Sequence, residues 1–446
     1  MSAAAAGLAA RSSQVLRGAA ALYGSTVVTA ALGFAFWALS ARLAIPAQVG
    51  AAAAAIAAMQ LIGSACTLGL GSLLISELGR DRAARFRLVS AALLVSAGAG
   101  LLVGGLGAGG YGWLSAGGWA PAAGGSALYT SAAGVALFAV GCAAQAATNV
   151  LDLALVGAGR PGWQLLRNAA FAAGKLALLL PVAALGNLSA TAVFGCWVAG
   201  SVASVLVVLA RTPARRRWLR RPAGPVALRG LGGQAFGHHI INVSAHVPSL
   251  VLPMLVASLL GNARNAGFYL AMQIASFGWA ITTHLSTALF AVSAREQDRL
   301  RRDLRLSLAV TAAVTVAGVV GAAVLGRWVL GLLGPAYPHA WAALVLMAAM
   351  TLPAGIKALF ISVCRVRGRL GLAGAATVGS SAVEIAAGWY GARHGVTGVA
   401  AGMMVAVCAQ AVLMWPMVAG AAGLRRWPPG PRWRPPGQRR AAREPA

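Results

Sequence analysis

Residues 48–87 read QVGAAAAAIAAMQLIGSACTLGLGSLLISELGRDRAARFR. The first 29 of them, 48–76, hold no charged side chain, and the last eight hold four arginines, Arg80, Arg82, Arg85 and Arg87. A helix rises about 1.5 Å per residue, so about 20 apolar residues cross a hydrocarbon core of roughly 30 Å. An apolar stretch of that length closed by an arginine cluster reads as a membrane pass followed by a loop held on the cytoplasmic side. The same unit recurs in both directions along the chain. Passes are predicted at 19–41, 48–76, 88–109, 128–157, 164–185 and 189–210, then at 233–260, 266–293, 305–325, 340–363, 370–391 and 396–422. Every second connection is arginine-rich: 2 residues before the first pass (Arg11, Arg17), 4 at 80–87, 2 at Arg160 and Arg167, 7 at 211–229, 5 at 295–305, 3 at Arg365, Arg367 and Arg369, and 7 after Leu424. These hold 30 of the 36 basic residues. The other connections carry single arginines (Arg42, Arg264, Arg327, Arg393) or none. That alternation predicts both termini in the cytoplasm and an even number of passes. The fold class is an all-α membrane protein of about 12 transmembrane helices. A β-barrel is excluded because no segment alternates polar-in and apolar-out.

Composition agrees. Hydrophobic residues make up 59% of the chain and charged ones 10%, and the mean hydropathy is +0.76. A soluble domain of this length cannot hide that much apolar surface. The net charge of +28 does not point to nucleic acid, because it is divided among short loops instead of gathered on one soluble face. An arginine-rich face attracts anionic membrane lipids. The five cysteines (Cys66, Cys142, Cys196, Cys364, Cys408) lie in or beside apolar passes without CxxC spacing, so neither disulfides nor metal ligation is expected. The first pass follows Arg11 and Arg17 but is long and reads as a retained helix. The expected location is the plasma (inner) membrane, multi-pass.

The loop at 212–231 carries Pro213, Pro222, Pro225 and Arg215-Arg216-Arg217. It divides the chain into an N-terminal lobe, 1–211, and a C-terminal lobe, 232–423, each with six passes. Residues 424–446 form a basic Pro/Arg-rich tail, predicted to be disordered. Ala41-Arg42-Leu43 can be set against Ala257-Ser258-Leu259, and each is followed by a glycine, Gly50 or Gly267, that opens a long pass. Six passes return the chain to the same side, so the repeat is parallel, and substrate sites in such transporters lie between the repeats.

Ionisable groups inside a membrane are costly and rank as functional candidates. Lys175 lies mid-way along the fifth pass. Asp152 lies in the cytoplasmic third of the fourth, across a short turn. The two charges can pair, or Lys175 can meet an anionic ligand. Lys357 follows Pro353 and Gly355 and sits two turns from Arg365, close enough to snorkel to the interface. Glu384 is a candidate coupling-ion ligand or a packing partner. His238, Asn242 and His246 recur every four residues and form one polar stripe with His239 beside it; Gln145 and Asn149 form a smaller pair. Either set can line a cavity or bond between helices. No metal site is expected, since no carboxylate or thiolate stands at useful spacing. Trp163, Trp341 and Trp389 near pass ends read as interfacial anchors.

The stretch LYGSTVVTAALGFAFWALSARLAIPAQVGAAAAAIAAMQLIG, 22–63, resembles the first two helices of polysaccharide transporters. These belong to the multidrug/oligosaccharidyl-lipid/polysaccharide exporter superfamily. GHHIINVSAHVPSLVLPMLVASLLGNARNAGFYLAMQIAS, 237–276, is similar to that family's seventh and eighth helices. The resemblance, covering nearly the whole chain, implies two six-helix lobes in a V around a cavity that opens to each side in turn. It implies an O-antigen flippase-like activity: moving a lipid-linked oligosaccharide from the inner to the outer leaflet. The implied partners are the lipid-linked saccharide and glycan-assembly enzymes; no cofactor is implied. The alternatives are an ion-coupled drug exporter of the same superfamily and a peptidoglycan lipid-precursor flippase. Many drug exporters use intramembrane carboxylates, and the first pass has none. The peptidoglycan flippases tend to carry several cations in the first lobe, where this chain offers mainly Lys175. Catalysis is not expected: the outward connections lack Asp and Glu, and there is no GxxxxGK[ST] loop.

Overall fold

The computed structural model describes residues 29, 31–78, 85–117, 127–186, 188–211, 233–293 and 297–424. The start of the first pass, the loops at 79–84 and 118–126, the 212–231 linker and the tail from 425 lie outside the described residues. Those that are described form helices and turns, with no strand among them. The first half contains α1 (Ala31–Leu43), α2 (Pro46–Ala65), α3 (Leu70–Glu77), α4 (Arg85–Ala116), α5 (Ala127–Thr130), α6 (Ala132–Gly157), α7 (Pro161–Ala184) and α8 (Ala190–Arg211). The second contains α9 (Gly233–Leu260), α10 (Asn262–Ser293), α11 (Gln297–Leu333), α12 (Trp341–Ala349), α13 (Thr351–Val366), α14 (Leu370–Gly391) and α15 (Gly395–Ala421).

Among the described residues nine helical stretches are long and apolar enough to cross a membrane. One, Leu370–Ala421, contains two passes, α14 and α15, joined by a tight turn at Ala392–His394. Adding the 32-residue α10 and the described part of the first pass, α1, completes the dozen. Several predicted passes differ in detail: those expected at 128–157 and 340–363 are each divided in two, into α5 and α6 and into α12 and α13. The pass expected at 48–76 breaks at 66–69, where Leu68 (φ 51°) and Gly69 (φ 77°) are left-handed, a conformation that glycine adopts without steric cost. The passes expected at 88–109 and 305–325 extend to 32 residues in α4 and 37 in α11. Arginine is a good helix former, so both helices continue into their arginine-bearing first turns. Arg305 of α11 uses that reach to close the end of α15, donating from Nε to the Ala422 carbonyl (2.9 Å) and from Nη2 to that of Gly423 (3.2 Å).

The two halves pack in the same order. In the first, α4 lies on α6, α7 on α8, α6 on α8 and α2 on α6; in the second, α11 lies on α12, α14 on α15, α13 on α15 and α10 on α12 and α13. The result is two lobes in which corresponding passes touch corresponding neighbours.

The lobes meet where α2 runs between α9 and α10. At the arginine-poor end the seam is very tight. A Cβ on Gly50 would lie 1.7 Å from the Asn262 carbonyl oxygen, so only glycine lets the backbones cross here. Asn265, fully buried, donates from Nδ2 to the Gly50 carbonyl at 2.8 Å. Gly50 therefore crosses α10 at Asn262 and Ala266, while Gly267 gives room to His339 instead. Next to this crossing, Arg42 Nε donates to the Leu332 carbonyl (2.6 Å) and the Tyr337 hydroxyl to that of Ala41 (3.3 Å). Deeper in the seam the Trp37 and Tyr269 rings meet edge to face, centroids 4.7 Å apart. Lipid removes the hydrophobic drive between helices, so close packing and these hydrogen bonds hold the lobes together.

Candidate functional site

Asn242 and His246 are exposed on one face of α9, and His246 is the fourteenth residue of a 28-residue helix. Both lie near the arginine-rich end of the apolar span His239–Leu260. His246 Nδ1 donates to the Asn242 carbonyl (3.0 Å), and the Asn242 amide oxygen accepts from Arg365 Nη2 on α13 (2.9 Å). One to two turns earlier on α9, His239 lies 3.3 Å from the Ala65 carbonyl and 3.4 Å from the Thr67 hydroxyl, both at the end of α2. Across α2, Ser64 accepts from Asn149 Nδ2 (3.3 Å), and Asn149 accepts from Gln145 Nε2 (3.0 Å). A polar belt thus runs through the arginine-rich half of the molecule, from α6 over α2 to α9 and α13. It joins both lobes and uses Gln145, Asn149, Asn242 and His246 from the predicted set. The His238 side chain lies outside the described residues.

The expected pairing of Asp152 with Lys175 does not form. Asp152 on α6 is held by Arg167 on α7, with Nε to Oδ1 at 2.5 Å and Nη2 to Oδ2 at 2.7 Å. Arg167, counted by sequence with the connection before the pass at 164–185, lies inside α7, is 6% exposed and reaches Ser204 of α8 through Nη1. Its fork satisfies both carboxylate oxygens at once. Lys175 is eight residues, or roughly 12 Å, further along the same helix.

Lys175 is buried within three rings: its Nζ lies 3.7 Å from the Trp197 centroid, 4.6 Å from Phe171 and 5.0 Å from Phe36. Cation–π attraction stabilises such an ammonium by on the order of 2 kcal/mol when desolvated. Gly200 makes the fit possible, since a Cβ there would meet the Lys175 Cβ at 2.9 Å. Among the described residues no carboxylate pairs with Lys175. The neighbouring indole N–H groups of Trp37 and Trp197 are buried and have no acceptor. This corner of the first lobe holds donors in excess.

In the second lobe Lys357 does not reach the interface. Its ammonium pairs with Glu384 of α14, the two side chains 13% and 7% exposed. Sequence reasoning missed the pair because 27 residues separate its members on helices whose contact no local spacing reveals. Nearby, Gln410 of α15 donates to the Ser380 carbonyl (3.0 Å), and its own carbonyl oxygen is buried without a donor. Each lobe therefore ties its fourth pass to its fifth with one ion pair, of opposite polarity in the two lobes. No cluster of metal-ligating side chains occurs among the described residues.

Cations crowd the turn after α13. Burial lowers the Arg367 guanidinium below its usual range, and the neighbouring Arg369 charge adds to the effect. At the opposite end, Arg327 stacks on Trp341 at 4.4 Å and Arg393 on Tyr390 at 4.9 Å, as suits interfacial aromatics. An apolar cleft of about 280 Å³ between α10, α11 and α12 is lined by Ile274, Gly278, Gly318, Leu344 and Ala348 among others.

No protein-family model matches the chain, and no curated protein matches it. Solved structures do. The inward-facing conformation of a multidrug resistance MATE family transporter of the MOP superfamily superposes with a TM-score of 0.69 at 15% identity, covering 89% of this chain and 94% of that one. An outward-facing conformation of such a transporter gives 0.56 at 12% identity, covering 89% and 93%. A mutant of the Vibrio cholerae MATE transporter VcmN gives 0.58 at 15%, covering 91% and 95%. The chain has the two-lobed fold of the MATE transporters.

Proposed function

We propose that the protein is an alternating-access transporter that carries an anionic, oxygen-rich amphiphile, a lipid-linked oligosaccharide or polysaccharide precursor, from the cytoplasmic to the outer leaflet. The observation that carries this reading is the surplus of donors over acceptors around Lys175 in the first lobe; the two buried carbonyl oxygens without a donor, those of Asn265 and Gln410, belong to helices of the second lobe. Among the described residues Asp152 and Glu384 are each consumed by a base, whereas no carboxylate pairs with Lys175 and the Trp37 and Trp197 indoles have no acceptor. Phosphate oxygens and sugar hydroxyls supply acceptors; a cationic drug supplies more donors. The positive-inside rule puts the polar belt on the loading side, with both termini cytoplasmic. Rocking about the α2 seam would close the arginine-rich end and part Trp37 from Tyr269, bringing the donors of the first lobe to the cavity.

A second reading, ion-coupled export of small molecules, is supported by the similarity in fold to multidrug resistance MATE family transporters. In that case Glu384 is the carboxylate available to a coupling ion, and Lys357 competes with the ion for it. A peptidoglycan lipid precursor would fit the same donor surplus. One experiment separates the three. Loss of surface glycan with unchanged drug susceptibility in a deletion strain supports the first reading. Raised drug susceptibility with intact glycan overturns it in favour of the second. Lysis on depletion, with accumulated peptidoglycan precursor, overturns it in favour of the third.

A further inference from the structure

We infer that Arg365, with Asn242 and His246, forms a binding station for a phosphate-type anion at the arginine-rich mouth of the second lobe. The inference rests on the reading above only in taking the exposed face of α9 as a cavity wall. Arg365 stands in the last turn of α13 and is exposed, yet its side chain turns back across the opening to α9. The acceptor it finds there is the neutral amide oxygen of Asn242, 2.9 Å from Nη2. A guanidinium carries five N–H donors in a planar fork, and one contact with a neutral oxygen leaves both its charge and most of its donors for a ligand. Asp152 is paired with Arg167 and Glu384 with Lys357, so neither intramembrane carboxylate neutralises Arg365.

Three further features point to an anion. His246 lies one turn deeper on the same face; its Nδ1–H is held by the Asn242 carbonyl, so Nε2 offers an anion a donor in the imidazolium form, in which both ring nitrogens carry protons. His239 secures this segment of α9 to Ala65 and Thr67 of the other lobe, so the station sits where the lobes meet. Arg367 and Arg369 follow on the next turn and raise the local positive potential. The planar fork suits a phosphoryl group with two oxygens in one plane, which it can grip bidentately. A phosphate or pyrophosphate at the polar end of an amphiphile matches the station, its hydrocarbon lying toward the apolar passes.

The test uses the full chain in nanodiscs of zwitterionic lipid. Binding of farnesyl pyrophosphate, inorganic pyrophosphate and uncharged farnesol is measured for the wild type, Arg365→Gln, Arg365→Lys and Arg393→Gln. The last removes a stacked arginine at the other end of the molecule. Farnesyl pyrophosphate is expected to bind at least tenfold more weakly to Arg365→Gln, with Arg365→Lys intermediate and Arg393→Gln unchanged. Inorganic pyrophosphate with the same dependence on Arg365 identifies a free anion as a sufficient ligand; dependence seen with the prenyl probe alone identifies a lipid headgroup. Binding by Arg365→Gln equal to wild type, or farnesol binding as tightly as its pyrophosphate, overturns the station. Thermal melting of each variant separates lost binding from lost folding, and the intermediate Arg365→Lys affinity provides a second reading. Arg365-dependent binding in a protein whose deletion leaves surface glycan intact would retain the station and reject the cargo. Glycan export with Arg365-independent binding would do the reverse.

Discussion

Replacing Gly50 by alanine tests the seam at its tightest point. The added Cβ would lie 1.7 Å from the Asn262 carbonyl oxygen, 2.7 Å from its carbon and 2.9 Å from the Ala266 nitrogen. All three are backbone atoms, so no rotamer change relieves the clash and α2 must move away from α10. Bringing the shortest contact from 1.7 Å to the tolerable 3.0 Å requires about 1.3 Å of separation. The 2.8 Å bond from Asn265 to Gly50 then lengthens to about 4 Å and is lost. Asn265 is fully buried and its amide oxygen already lacks a donor, so the whole amide is stranded. Overpacking costs about 1–3 kcal/mol and the stranded amide about 1–3 kcal/mol. A loss of about 2–6 kcal/mol from the closed seam moves the closed-to-open ratio by roughly 30-fold or more, at about 1.4 kcal/mol per tenfold. The readout is labelling of Val49→Cys, fully buried beside the crossing, by a membrane-impermeant maleimide in a background without the five native cysteines. Gly50→Ala should speed labelling at least tenfold. Unchanged labelling together with an unchanged melting temperature would refute the crossing as a latch.

Three further outcomes are expected. Arg167→Ala leaves Asp152 without its bidentate partner and should destabilise the first lobe by about 3–5 kcal/mol, with Asp152→Asn in the same chain recovering part; thermal melting in detergent measures both. Lys357→Met should lower the melting temperature and the double variant with Glu384→Gln should restore it, since an uncompensated buried carboxylate is worse than a neutral pair; equal stability of single and double variants would contradict the pair. Lys175→Met keeps the packing inside its aromatic cage but removes the charge, so the protein should fold while export of the lipid-linked product falls, with Lys175→Arg retaining part. Full export by Lys175→Met would confine Lys175 to packing.

The predicted stripe on α9 shows where sequence periodicity succeeds. Asn242 and His246 recur at helical spacing, and the structure places both on an exposed face because 100° per residue carries from one helix to any other. Gln145 and Asn149 succeed for the same reason. Lys175, Asp152 and Lys357 show where it fails. Each was conspicuous as a charge in an apolar pass, but its partners stand wholly or partly on other helices. Asp152 met Arg167, which lies within the pass expected at 164–185 but was counted with the arginines of the connection before it. Lys175 met three rings supplied by α1, α7 and α8, and no spacing within one pass announces a cage of that kind.

By itself the sequence determined the number of passes, the arginine asymmetry between their ends and the division into two like halves. Insertion into a bilayer responds to local quantities, the length of an apolar run and the charge beside it, and these are legible one segment at a time. The tertiary structure alone decided which charges neutralise each other, why Gly50 has no side chain and which donors are left without acceptors. Those outcomes depend on side chains far apart in the chain meeting at distances of a few ångströms, and only the packed lobes set those distances.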